Sequence, residues 1–209
     1  LSYSPTADYS TRRLSPSQAD CQGDSRARLI PGREIDCRIH DRKLQLPPMN
    51  SIASYIDHTL LRADATLPDI EKLCAEAREY GFCCVCVNGS LVPDSHRLLE
   101  GSNIKIATVV GFPLGAMSTR TKCFEAEAAV ADGAREIDAV LNIGRLKQRD
   151  DAYVLHELRE IVRASGGRIV KVILETCLLT NEEKIRACRL AMDSGAHFVK
   201  TSTGFSAGG

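Results

Sequence analysis

From Ser51 onward, short runs rich in β-branched residues alternate with longer stretches whose apolar residues recur at spacings of three and four. This alternation constrains the fold more than any other feature. Strands separated by helices run parallel in one sheet, with right-handed crossovers. The runs predict strands at residues 55–58, 83–87, 105–110, 136–140, 169–174 and 198–201. Leu67, Ile70, Leu73, Cys74 and Ala77 form a helical stripe, opened by Thr66 with Asp69 three residues on. Residues 118–132 are rich in Ala and Glu, both helix formers. Residues 151–164 place Val154, Leu155, Leu158, Ile161 and Val162 on one face. Thr180 and Glu183 make a capping box ahead of Ile185, Cys188 and Met192. Residues 91–100 carry a fainter pattern, in which Pro93 suits only a first turn.

Two architectures fit this order, an open doubly wound sheet and a (β/α)8 barrel. No GxGxxG follows the first strand, so a dinucleotide fold lacks its best support. A (β/α)8 TIM barrel occupies about 250 residues, whereas six predicted strands end close to residue 209. The expectation is therefore an α/β fold: an incomplete TIM barrel, about six of eight strands, over residues 49–209. Residues 1–48 are rich in Ser, Arg, Asp and Pro, sustain neither period, and precede the first Met, Met49. They are expected to be a disordered leader or an upstream translated segment. Asp8, Asp20, Asp24, Glu34, Asp36 and Asp41 interrupt them, against a transit peptide.

Lys+Arg and Asp+Glu both total 27, so no net field favours nucleic acid or an anionic membrane. No apolar run is long enough to span a bilayer. The 9 cysteines are odd in number and follow no secretory signal, so a reducing, cytoplasmic setting is expected. Cys83, Cys84 and Cys86 fall in one predicted strand, whose alternation turns Cys83 away from the other two. No further Cys or His pair stands at a zinc spacing, and a metal is not expected.

Gly81, Gly133 and Gly195 each close a helix and lead into a strand. Five residues on from each stand Cys86, Asp138 and Lys200. In a parallel barrel, alternate strands share a layer of the interior, so a thiol, a carboxylate and an amine converge there. Lys171 shares a strand face with Ile173 and Glu175, and Asp57 alternates with Tyr55 and Thr59. Blander readings stand beside these: an Asp138–Lys200 pair that only ties the layer together, a solvated Lys171, and Cys86 as core packing.

An amine attacks a carbonyl only when neutral, and an ordinary lysine titrates near about 10.4. Lowering that by three units needs about 4 kcal/mol of preference for the neutral form, which burial and a nearby cation can supply. The imine that follows is an electron sink, and a carboxylate can shuttle the protons. Such a set suits carbon–carbon bond cleavage or formation next to a carbonyl.

Ile56-Asp-His-Thr-Leu-Leu, Val85-Cys-Val-Asn, Val109-Val-Gly-Phe-Pro-Leu-Gly, Glu136-Ile-Asp with Asn142-Ile-Gly, Lys171-Val-Ile-Leu-Glu-Thr-Cys-Leu-Leu and Phe198-Val-Lys-Thr-Ser-Thr-Gly-Phe follow in order. This series resembles the successive strand motifs of the deoxyribose-phosphate aldolase family. The resemblance implies reversible cleavage of 2-deoxy-D-ribose 5-phosphate to D-glyceraldehyde 3-phosphate and acetaldehyde, with neither metal nor cofactor. It implies Lys200 as the Schiff-base lysine, Asp138 as proton donor and acceptor, and Lys171 as a lysine lining the site that relays protons. Cys86, Asp57, Thr201 and Gly204 are implied on the substrate side, Gly204 where a loop approaches the phosphate. Family members commonly pair as dimers. The family also carries a second catalytic lysine on strand seven and further phosphate loops, which are not among these residues, so the 209-residue polypeptide alone is expected to be inactive or nearly so. A different Schiff-base sugar-phosphate aldolase and a non-catalytic barrel fragment are the alternatives.

Overall fold

A computed structural model describes residues 52–208. The expected leader at residues 1–48 lies outside them. Six strands, β1 (Asp57–Leu60), β2 (Cys84–Val87), β3 (Lys105–Val110), β4 (Glu136–Val140), β5 (Ile169–Ile173) and β6 (Phe198–Lys200), form one sheet in sequential order. Every neighbouring pair is parallel. An open doubly wound sheet reverses its order at a switch point, and this one does not. The sheet also curls. In a flat sheet β1 and β5 would stand about 19 Å apart, four strand spacings, yet Asp57 on β1 lies 2.7 Å from Lys171 on β5. The architecture is the expected α/β barrel, present as six strands.

The helices α1 (Leu67–Tyr80), α2 (Val92–Leu98), α3 (Thr119–Ala131), α4 (Ile143–Lys147), α5 (Asp151–Ala164) and α6 (Asn181–Ser194) form the connections. Thr66 with Asp69 and Thr180 with Glu183 both make the predicted capping boxes. Gly81 and Gly195 end α1 and α6 in the left-handed region, which costs glycine no steric strain. Pro93 sits in the first turn of α2. Strand β1 begins two residues later than predicted, because Tyr55 closes a 3-10 turn and is exposed. Helix α4 was not predicted; five residues are too few to show a period.

Strands β2 and β4 are buried along their whole length, as expected where helices cover one face and the bore the other. Val85, Val87, Ile106, Ile137 and Val170 pack outward with residues of α1 and α3. Val172 and Leu174 pack with α5 and α6. Inside, Cys84, Cys86, Ala107 and Val109 form a separate small cluster. Among the described residues, no helix is long and apolar enough to cross a membrane.

Candidate active site

The three residues marked by the helix-ending glycines meet in the bore. Asp138, in the middle of β4, is fully buried, and Lys200 closes β6. Lys200 Nζ donates to Asp138 Oδ2 at 2.5 Å. Cys86 lies beside them with its thiol pushed up to about 12, by burial first and then by the Asp138 charge. Burial thus favours the neutral thiol there.

Lys171 is the hub of the bore. Its Nζ stands 2.7 Å from Asp57, 2.7 Å from Glu136 and 3.3 Å from Asp138 Oδ1. Burial alone would favour the neutral amine, but Asp138, Asp57 and Glu136 together raise its pKa well above the ordinary lysine value. Glu136 is shifted the other way: burial opposes its charge, but the bonds from Lys171 outweigh it and lower its pKa. At the rim, Lys105 reaches Glu136 at 3.4 Å.

Lys200 differs from the sequence-based expectation of a neutral amine. Burial pulls its pKa down, but the Asp138 carboxylate outweighs that and raises it. Lys171 is the nearby cation among the described residues, and three carboxylates already engage it. Asp138 Oδ1, although close to Lys171, has no hydrogen bond of proper geometry among the described residues. Its partner there is the Lys171 charge, 3.3 Å away.

Asp57 faces inward as predicted, 3.9 Å from Lys200. Tyr55 does not alternate with it, since it precedes the strand. Thr201 and Gly204 follow Lys200 in the loop after β6. The Thr201 carbonyl accepts from Thr176 N at 2.8 Å, and Gly204 adopts φ 81. Cys83 is not turned away from Cys84, as strand alternation predicted. It lies just before β2, and the two sulfurs are 3.7 Å apart. With Asp57 they form a group of donor atoms within 4.8 Å of one another. Asp57 is already bonded to Lys171, and burial pushes the Cys84 thiol far up, so the group offers no ready thiolate.

An inward lysine bonded to a buried carboxylate inside a curled parallel sheet is the geometry that the motif series implied. The sequence profile of the DeoC/LacD family aldolases matches residues 51–208. The deoxyribose-phosphate aldolase of Alkaliphilus oremlandii is 59% identical over 160 residues, covering 76% of this chain and 72% of that protein. This chain belongs to the DeoC/LacD aldolase family. A deoxyribose-phosphate aldolase of Carboxydothermus hydrogenoformans is 57% identical over 162 residues, 76% of this chain and 71% of its own length. Among solved structures, a tetrameric deoxyribose phosphate aldolase from Aeropyrum pernix superposes with a TM-score of 0.69 at 35% identity, covering 74% of this chain and 65% of that one. A structure assigned to the same activity from Coccidioides immitis gives 0.74 at 43% identity, covering 75% and 62%. The chain thus spans just under two thirds of these two solved chains.

Within the DeoC/LacD framework, sequence reasoning missed two acids. Glu136 stands two residues before Asp138, and the strand period that turns one inward turns the other inward too. Glu175 was placed on the Lys171 face but given no role. It is 2% exposed and its carboxylate holds the loop after β6. Its left-handed backbone, φ 54, breaks the alternation from which its direction could have been read.

Proposed function

We propose that the chain is a class I aldolase acting on 2-deoxy-D-ribose 5-phosphate, with Lys200 as the Schiff-base lysine. One observation carries this reading: Lys200 Nζ donates to the buried Asp138 at 2.5 Å, while Asp138 Oδ1 is left without a hydrogen bond among the described residues. A single carboxylate thus stands where it can take the ammonium proton and also serve a substrate hydroxyl. The neutral amine attacks the sugar aldehyde carbon, Asp138 returns the proton it took to the departing hydroxyl, and water leaves, giving an iminium and restoring the carboxylate. Asp138 accepts the proton of the C3 hydroxyl as the C2–C3 bond breaks. Its electron pair moves to the iminium, forming an enamine and releasing D-glyceraldehyde 3-phosphate. Protonation of the enamine at C2 and hydrolysis return acetaldehyde and the free lysine.

In this scheme Lys171 is a fixed positive charge rather than a relay. An amine held charged by three carboxylates sets a fixed positive charge 3.3 Å from Asp138 Oδ1. Cys86 and Asp57 line the bore, and the turn bearing Thr201 and Gly204 faces the phosphate end. The sugar phosphate and acetaldehyde are the partners implied.

The test is reductive trapping. The purified chain is treated with acetaldehyde and borohydride, and the modified peptide is located by mass spectrometry alongside an assay of acetaldehyde release from the sugar phosphate. An ethyl adduct on Lys200 is expected, with turnover by the 209 residues alone far below that of a full-length relative, since the resemblance puts a second catalytic lysine outside them. An adduct on another lysine would favour a different Schiff-base aldolase, and no adduct a non-catalytic role.

A further inference from the structure

The strand ladder accounts for the position of Lys200 but not for the turn that follows it. Leu174 N donates to Lys200 O at 2.9 Å and Thr176 N to Thr201 O at 2.8 Å, where the pairing ends. Beyond Thr201, the polar side-chain anchors of the turn converge on Glu175. Its Oε1 accepts from Thr203 N at 3.3 Å. Its Oε2 accepts from the Thr203 hydroxyl and from Ser206 Oγ, the latter at 2.9 Å. The Thr203 hydroxyl in turn accepts from Phe205 N at 3.0 Å.

A buried carboxylate is tolerated when donors fill its lone pairs. Glu175 has no ion-pair partner among the described residues, so these hydroxyls and the amide, with the Cys177 thiol 3.8 Å from Oε1, are what hold it. Its φ of 54 lies in the left-handed region, which disfavours a residue with a side chain. Such a conformation survives where surrounding contacts over-determine it and clusters at functional sites. The result is a turn with a specific opening. The N–H groups of Thr203 and Phe205 are taken up inside it, and that of Gly204 between them has no acceptor among the described residues. A Cβ added to Gly204 would meet nothing within 4 Å, so the backbone can be approached closely there. The Gly204 N–H is thus free to donate to an anion.

We infer that Glu175 is a positioning residue for the phosphate end of the substrate, an inference that rests on the aldolase reading above. It holds the turn of residues 201–206 so that the Gly204 N–H stands at a set distance from Lys200. It touches no reacting atom. Lys200 itself is held by the ladder and by Asp138, so imine formation with an aldehyde lacking phosphate does not depend on Glu175. Capture of the phosphorylated sugar does.

The test compares the full chain with Glu175→Gln, which keeps the shape but sets an amide N–H₂ against the donors. Thr203→Val, which removes the hydroxyl on the other side of the bond, guards against misfolding of the first variant. Amide exchange at Thr203 and Phe205 is expected to accelerate in both, with Leu174 and Thr176 unchanged. Trapping of acetaldehyde on Lys200 should stay within about two-fold, while the 2-deoxyribose 5-phosphate concentration for half-maximal trapping rises about ten-fold, as for the loss of charge-assisted hydrogen bonds. Unchanged exchange at Thr203 and Phe205 would overturn the inference, and so would a parallel fall in both trapping reactions. Absence of any Lys200 adduct in the unsubstituted chain would instead overturn the aldolase reading, and the exchange result would still stand or fall by itself.

Discussion

Burial and Asp138 act on the Lys200 proton in opposite directions, and the carboxylate wins. Replacing Asp138 by Asn keeps the shape and the burial but removes the charge, so the Lys200 pKa should fall. In the proposed reaction the nucleophile is the neutral amine, whose fraction grows as pH rises through that pKa. The onset of acetaldehyde trapping in Asp138→Asn is therefore expected at lower pH than in the unsubstituted chain. Cleavage of the sugar phosphate should nevertheless drop by about 10²–10⁴-fold, because the carboxylate bonded to Lys200 is gone and Asp57, 3.9 Å away, is outside hydrogen-bond reach. Trapping rate measured against pH decides this; an onset at the same or higher pH would contradict it. The candidates were legible in the sequence because a lysine and an aspartate five residues past a helix-ending glycine have one place to point in a parallel barrel. Their charge states were not legible. Those depend on the three carboxylates around Lys171, two from the paired strand β4 and one, Asp57 on β1, that only the curled sheet brings near.

Helices α3 and α5 are joined by a pair that no sequence pattern announced. Lys122 and Glu157 are both fully buried, with Nζ and Oε1 2.7 Å apart. Lys122 also donates to Val140 O at 3.0 Å, and Glu157 accepts from Thr119 Oγ1 at 3.3 Å. Burial lowers the Lys122 pKa despite the Glu157 charge. Removing one partner leaves the other buried and unpaired, which costs about 3–5 kcal/mol, whereas an apolar replacement of both is often neutral or stabilising. Glu157→Ala is thus expected to lower the urea midpoint strongly, and Lys122→Met with Glu157→Leu to restore most of it. A double variant no more stable than the single one would count against this account. A lysine and a glutamate within amphipathic helices read as a solvated face, and only the packing of one helix on another buries them. By contrast, the capping boxes at Thr66 and Thr180 and the glycines ending α1 and α6 involve residues a few positions apart. Local chemistry fixed those ends, while β1, preceded by a 3-10 turn with no strong local signal, was displaced by two residues.

At the scale of the whole molecule, thiols buried in the bore and under the helices make stability depend on alkaline pH. Burial raises Cys74 to about 11 and Cys86 to about 12, and pushes Cys84 and Cys123 up as well. In the unfolded chain these thiols ionise near about 8.5. A group whose folded pKa is the higher one contributes stability that is complete below the unfolded value and lost as pH rises through the folded one. The loss should therefore begin near about pH 8.5 and continue past 11. Lys171 and Lys200, also raised, add to it only above about 10.4, while Lys122, which is lowered, acts in the opposite sense. Four thiols set the onset because they titrate first. Urea midpoints measured under reducing conditions should be level around neutrality and fall from about pH 8.5 upward. Cys74→Ala should start lower, from the cavity it leaves, yet fall less steeply with pH because one burdened thiol is gone. A midpoint level to about pH 11, or an unaltered slope in Cys74→Ala, would mean that water reaches these sulfurs and that the sheet and helices do not close around them as described.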